Sequence, residues 1–133
     1  MKSVLLFSYP TGDISNLAAK WHIWEMLREK LPELTHSECE DGFEVLNLLD
    51  TEHDTLPSLY EGRTIVVIGE TGREALGLPK ILLHPFMFRG VEWRQLPHPI
   101  GGYQWYSDRS CRDLAVLLLH ELYLRGNPNG KTV

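Results

Sequence analysis

One histidine held between two prolines, followed by two glycines and a run of aromatics, is the part of this chain best suited to chemistry. The stretch reads Leu96-Pro97-His98-Pro99-Ile100-Gly101-Gly102-Tyr103-Gln104-Trp105-Tyr106-Ser107-Asp108. An imidazole changes charge near neutral pH and can stabilise negative charge developing on a leaving group. Pro97 and Pro99 stiffen the turn around His98, and Gly101 and Gly102 let the backbone approach a guest closely. Tyr103, Trp105 and Tyr106 offer flat apolar surfaces to a nucleobase. The same aromatics also suit a rigid turn that caps the core. A second loop, Tyr9-Pro10-Thr11-Gly12-Asp13, follows the first apolar run. Asp13 is its only acid and the natural general base, although its type equally suits a helix cap. Tyr9 and Tyr103 are candidates to stack a flipped base. Arg73 stands near the end of a predicted strand, where it can reach a phosphate or pair with Glu70 or Glu74.

The histidine loop resembles one branch of the uracil-DNA glycosylase-like superfamily, whose loop has the form Pro-His-Pro-Ser-Gly-x-Asn-x-Trp-Tyr-Asn-Asp. Pro97, His98, Pro99, Gly101, Trp105, Tyr106 and Asp108 match it, whereas Ile100, Tyr103 and Ser107 replace the family's serine and two asparagines. Val66 to Gly77 looks like the family's strand-then-helix segment, and Arg89 to Leu96 looks like the hairpin that leads into the loop. The resemblance covers roughly residues 63–125; the first half matches loosely, and its first loop is not the usual water-activating motif. Proteins of this kind excise damaged bases or, often encoded by phages, take part in hypermodifying thymine-like bases in DNA. The resemblance implies a pocket between the loops at 9–16 and 97–108, with His98 facing a base carbonyl. It implies a DNA or nucleotide partner bearing a modified pyrimidine. The expected binding residues are Tyr9, Pro10, Thr11, Gly12, Gly69, Thr71, Arg73, Pro99, Gly101, Tyr103, Trp105 and Tyr106. A catalytically inactive nucleotide- or DNA-binding protein and a protein-interaction module, such as a phage inhibitor, remain as alternatives.

The whole composition narrows these classes. A chain of 133 residues, 43% hydrophobic and 23% charged, is expected to form one domain with a sizeable core. No apolar run reaches the roughly 18–20 residues of a membrane span, and the N-terminus is too short for a signal peptide, so the cytoplasm is expected. Cys39 and Cys111 form no Cys-x-x-Cys pair, so neither a cysteine-built metal site nor a cofactor is expected. Residues 1–61 carry 4 Lys/Arg and 12 Asp/Glu, whereas residues 62–133 carry 9 and 6. A half with net charge −8 repels a phosphate backbone and could present itself to a protein partner, while the +3 half can meet a phosphate locally.

The elements that must position these residues follow from apolar patterning. Residues 2–9 and Arg63–Gly69 read as buried strands. Lys80–Phe88 and Val91–Leu96 read as a hairpin about Arg89-Gly90, with Trp93 inward and Arg94 exposed. A helix is expected at 15–30, with Trp21 and Trp24 facing the core. Thr71 is expected to cap a short helix closed by Gly77. The polar stretch around His36, Glu38, Glu40, Asp41 and Glu44 reads as a solvated connector, Phe43–Leu49 as strand or helical turn, and Thr51–Ser58 as a loop. Asp108 caps a last helix to about Leu124, whose expected apolar face is Leu114, Val116, Leu117, Leu118 and Leu122. The expected fold is a three-layer α/β domain with a short, mostly parallel sheet.

Overall fold

Apolar runs too short for helices become the strands of one five-stranded sheet. The computed structural model describes residues 1–8, 18–100 and 102–128. Strands β1 (Val4–Phe7), β2 (Glu44–Asn47), β3 (Thr64–Ile68) and β5 (Val91–Leu96) run parallel, and β4 (Phe86–Phe88) pairs antiparallel with β5 at one edge. The order is β2-β1-β3-β5-β4. From β1 the chain moves outward to β2, then returns to lay β3 on the opposite side of β1. The direction of winding therefore reverses between β1 and β3. In open sheets such a reversal leaves a crevice at the carboxyl ends of the strands.

Both faces of the sheet are covered, which explains the unbroken apolar runs. Leu5, Phe7, Val66, Ile68 and Leu96 face one way, into a core shared with α1 (Ala18–Arg28) and α6 (Arg109–Gly126). Val4, Leu6, Ile65, Val67, Val91 and Trp93 face the other way, against Leu48, Leu56, Tyr60 and Leu78. Leu5, Ile23, Leu27, Leu119 and Leu122 are fully buried, each contributing roughly 1.5–3 kcal/mol of burial. The result is the expected three layers around a mostly parallel sheet.

Several local expectations need correction. Trp21 is 60% exposed, and its ring sits edge-on to His36; the buried stripe of α1 runs through Ala19, Ile23, Trp24, Met26 and Leu27. The polar connector contains a helix, α2 (His36–Asp41). Thr35 and Glu38 form its reciprocal capping box, and His36 Nε2 lies 2.7 Å from Glu25. The expected loop at 51–58 holds a 3₁₀ turn (His53–Thr55) and α3 (Leu56–Leu59), with Pro57 in its first turn, where no N–H is needed. The first hairpin arm begins only at Phe86: Leu83 adopts φ +68°, and Pro85 cannot donate to a ladder. Arg94 is largely buried, donating from Nη1 to Leu83 O and from Nε to Glu92. Leu114 and Leu117 lie on the solvent side of α6, while Val116, Leu118 and Leu122 are buried. Asp108 caps α6 as expected, accepting from the N–H of Cys111.

Candidate active site

The parallel strands deliver three chain segments to one end of the sheet: Ser8 after β1, Gly69 after β3, and Pro97-His98 after β5. A cavity of about 410 Å³ opens there. Gln95 and Leu96 come from β5. One wall runs from Gly69 through Arg73, along α4 (Glu70–Ala75), and the other is Pro97, His98, Gly102 and Trp105. Lys80 and Leu82 complete the lining, and Lys80 Nζ reaches Glu70 at 2.8 Å.

Backbone geometry explains why glycine ends β3. Gly69 has φ +95°, a region that side chains avoid, and a Cβ there would stand 3.4 Å from His98 Cβ. Its N–H donates to Leu96 O at 2.8 Å, binding the two strand ends together. The histidine turn is braced from within. Gly102 N–H donates to His98 O at 2.6 Å, and a Cβ at Gly102 would come within 2.8 Å of Pro97 Cβ. Tyr106 OH donates to Pro97 O at 2.7 Å.

His98 is held in one protonation pattern. Ile100 N–H donates to its Nδ1 at 3.2 Å, so the single proton of the neutral ring resides on Nε2. Burial and, second, the nearby charge of His22 hold its pKa below the ordinary 6.5. The side chain is therefore a neutral imidazole at physiological pH, with Nε2–H as a hydrogen-bond donor. Such a donor suits a carbonyl oxygen or a developing anion.

The expected site residues divide into three groups. Gly69, Thr71, Arg73, His98 and Trp105 meet around the cavity. Thr71 is exposed and does not cap α4: the cap position is Gly69, which has no side chain to offer. Pro99 is buried within the turn, and Tyr106 belongs to the core cluster, edge-on to Trp105 at 4.9 Å. Its hydroxyl braces the loop, and burial pushes its pKa well up. Tyr9, Pro10, Thr11, Gly12, Asp13 and Gly101 lie outside the described residues, as does the side chain of Tyr103, which opens α5 (Tyr103–Ser107).

Reading of the sequence missed Glu70, Lys80, Leu82 and Gln95 as lining residues. Gln95 carried a usable signal, being a polar residue on the inward face of a predicted strand beside Val91 and Trp93. Its amide is engaged by the chain itself, accepting from Ile81 N–H at 3.3 Å and donating to Pro79 O at 2.6 Å. Those bonds hold the segment bearing Lys80 against the sheet. Cys39 is buried, with its thiol pushed up to about 11 by desolvation, and Cys111 is likewise unpaired with any cysteine. Among the described residues, no three His, Cys, Asp or Glu side chains converge as a metal site would require, and no helix is long and apolar enough to cross a membrane. Comparison with protein-family models, curated proteins and solved structures found no match to this chain.

Proposed function

We propose that this protein recognises a modified pyrimidine base, carried on DNA or a nucleotide, and processes it by excision or by exchange of its 5-substituent. One observation carries the reading: His98 lines the cavity at the carboxyl ends of β3 and β5, with Ile100 N–H donating to its Nδ1. A uracil-like ring presents carbonyl oxygens along its edge. In this reading Nε2–H donates to one of them and stabilises the negative charge that gathers on the ring as a bond to the base breaks. Trp105 supplies an apolar surface on the same wall. The resemblance of Pro97-His98-Pro99, Gly101 and Trp105-Tyr106 to the glycosylase-like loop supports the same assignment. Asp13 is the general base of this scheme.

The test is mass spectrometry of bases and nucleosides after incubation with DNAs containing uracil, 5-hydroxymethyluracil or its phosphorylated forms, with and without amine donors. A released base establishes excision, and an altered 5-substituent establishes exchange. Loss of either in His98→Ala, with the fold intact, supports the imidazole's role. A second reading, a non-catalytic binding module, is favoured by the net charge of −8 over residues 1–61. Unchanged substrates with folded protein would replace the enzymatic reading with that one.

A further inference from the structure

We infer that Gln95 is a positioning residue of this cavity: it holds the segment 79–83 so that Lys80 and Leu82 form a fixed wall, and that wall limits the size of the 5-substituent the cavity admits. The inference rests on the pyrimidine reading above and deepens it. β4 pairs with β5 only from Val91 to Trp93, so the edge of β5 at Gln95 is left to another segment. Gln95 is 3% exposed, and a buried amide needs hydrogen bonds at both of its ends. Its Nε2 donates to Pro79 O at 2.6 Å, its Oε1 accepts from Ile81 N–H at 3.3 Å, and its backbone O accepts from Leu83 N–H at 3.0 Å.

Those three bonds fall on alternate residues of the segment. Pro79, Ile81 and Leu83 are tied to Gln95, and the two residues between them, Lys80 and Leu82, are the ones that line the cavity. Each lining residue therefore has its backbone fixed on both sides. Arg94 adds a clamp at the far end, donating from Nη1 to Leu83 O at 2.7 Å. Lys80 is also tied across to α4 by Glu70 at 2.8 Å, a bond that holds the Glu70 carboxyl below the ordinary carboxylate range. Both of those side chains are about 60% exposed, and exposed ion pairs fix little by themselves. The buried amide of Gln95 is the stronger constraint. Leu82 is the apolar member of the wall, and a wall braced at both flanks does not retreat before a bulkier guest. One methylene more or less in a fixed apolar pocket is worth roughly 10–200-fold in kcat/KM.

Gln95→Met in the full chain, which keeps the length of the side chain and removes both amide bonds, tests the positioning without any substrate; thermal melting checks that it is folded. By NMR, the Ile81 amide is expected to exchange at least about tenfold faster relative to that of Val66 in the sheet, and Glu70 to titrate nearer its ordinary value. Unchanged exchange at Ile81 overturns the positioning role, whatever the substrate. Processing of DNAs containing uracil or phosphorylated 5-hydroxymethyluracil tests the size limit, with Leu82→Ala as a second variant that leaves every bond of Gln95 in place. Both variants are expected to raise kcat/KM for the bulkier base relative to uracil by at least about tenfold. An unchanged ratio in Leu82→Ala overturns the size limit. An unchanged ratio in Gln95→Met alone overturns the dependence of that limit on Gln95. If the wild type processes neither DNA, the pyrimidine reading falls and the size limit with it, while exchange at Ile81 still decides whether Gln95 holds the wall.

Discussion

At the amino-terminal ends of the strands, charges share partners. Glu44 accepts from Tyr60 OH at 2.6 Å and from Arg63 at 3.2 Å, while Arg63 also caps Lys2 O. Glu92 accepts from Arg94 at 2.9 Å and lies 3.5 Å from Arg125. At the carboxyl ends of the same strands the pattern changes. Among the described residues, Ser8 Oγ and Arg73 Nε are buried without hydrogen-bond partners, and His98 accepts at Nδ1 from Ile100 N–H. Both ends are built from the same strands and are similarly close to the core. The difference teaches where this chain invests polar groups in its own fold and where it holds them for something else. A buried, unsatisfied polar group costs about 1–3 kcal/mol, and among the described residues His36 Nδ1, in the helix that leads into β2, carries such a cost away from the cavity as well.

The largest expected separation between the two ends is in turnover. His98→Ala should lower base processing by about 10²-fold or more and shift the melting temperature little, because the imidazole is only half-buried. Glu92→Ala should do the reverse, sparing turnover while lowering stability by about 1 kcal/mol, a modest figure because the site is partly solvated. Parallel assays of turnover and urea unfolding on the two variants make the comparison; equal loss of turnover in both would dissolve it. Next in size is Tyr106→Phe, which strips Pro97 O of its donor. It should cost about 1–3 kcal/mol in urea unfolding and also loosen the histidine turn, raising the KM. Tyr60→Phe, at the other end, should cost about 1 kcal/mol and leave KM alone.

The smallest effect is on pH dependence. The folded state holds the His98 pKa below its unfolded value of about 6.5, so the unfolded chain takes up a proton first as pH falls. The stability tied to this histidine is complete above about 6.5 and declines below it as the unfolded chain protonates. Unfolding measured at pH 7.5 and at pH 5.5 should show a steeper loss in the wild type than in His98→Asn. Equal losses would mean that burial at this end does not act on the ring.

Much of the scaffold was legible in the sequence because its signals are local. Val66-Val67-Ile68 needs no tertiary context to read as a buried strand, and Asp108 caps α6 by its own side chain. The histidine loop stood out from its residue types, and His98 and Trp105 from it do meet Gly69, Thr71 and Arg73 around one cavity. The rest depended on what packs where. Trp21 and Trp24 share helical spacing, yet only the neighbouring layer decides that one enters the core and the other stands over His36. The Thr35-x-x-Glu38 signature was present, but the surrounding charges hid it among solvated residues. Tyr106 looked like a stacking surface, and only the position of Pro97 O turns it into a brace. Gln95, Lys80 and Glu70 are distant in sequence, and the amide of Gln95 brings the Lys80 segment to the cavity.

The strand order has a consequence for synthesis. β1 leaves the ribosome before the other strands of its sheet, yet it lies between β2 and β3, and its Leu5 and Phe7 are covered in part by α6. Val4 finds its neighbour Ile65 only after the whole segment between them has been made. A nascent chain ending before residue 64 therefore holds an apolar strand with one flank unpaired and the layer from α6 still missing. Such long-range parallel pairings form slowly and expose their edges meanwhile. The chain is expected to gain its native protection late and nearly all at once, when α6 closes over the strand made first.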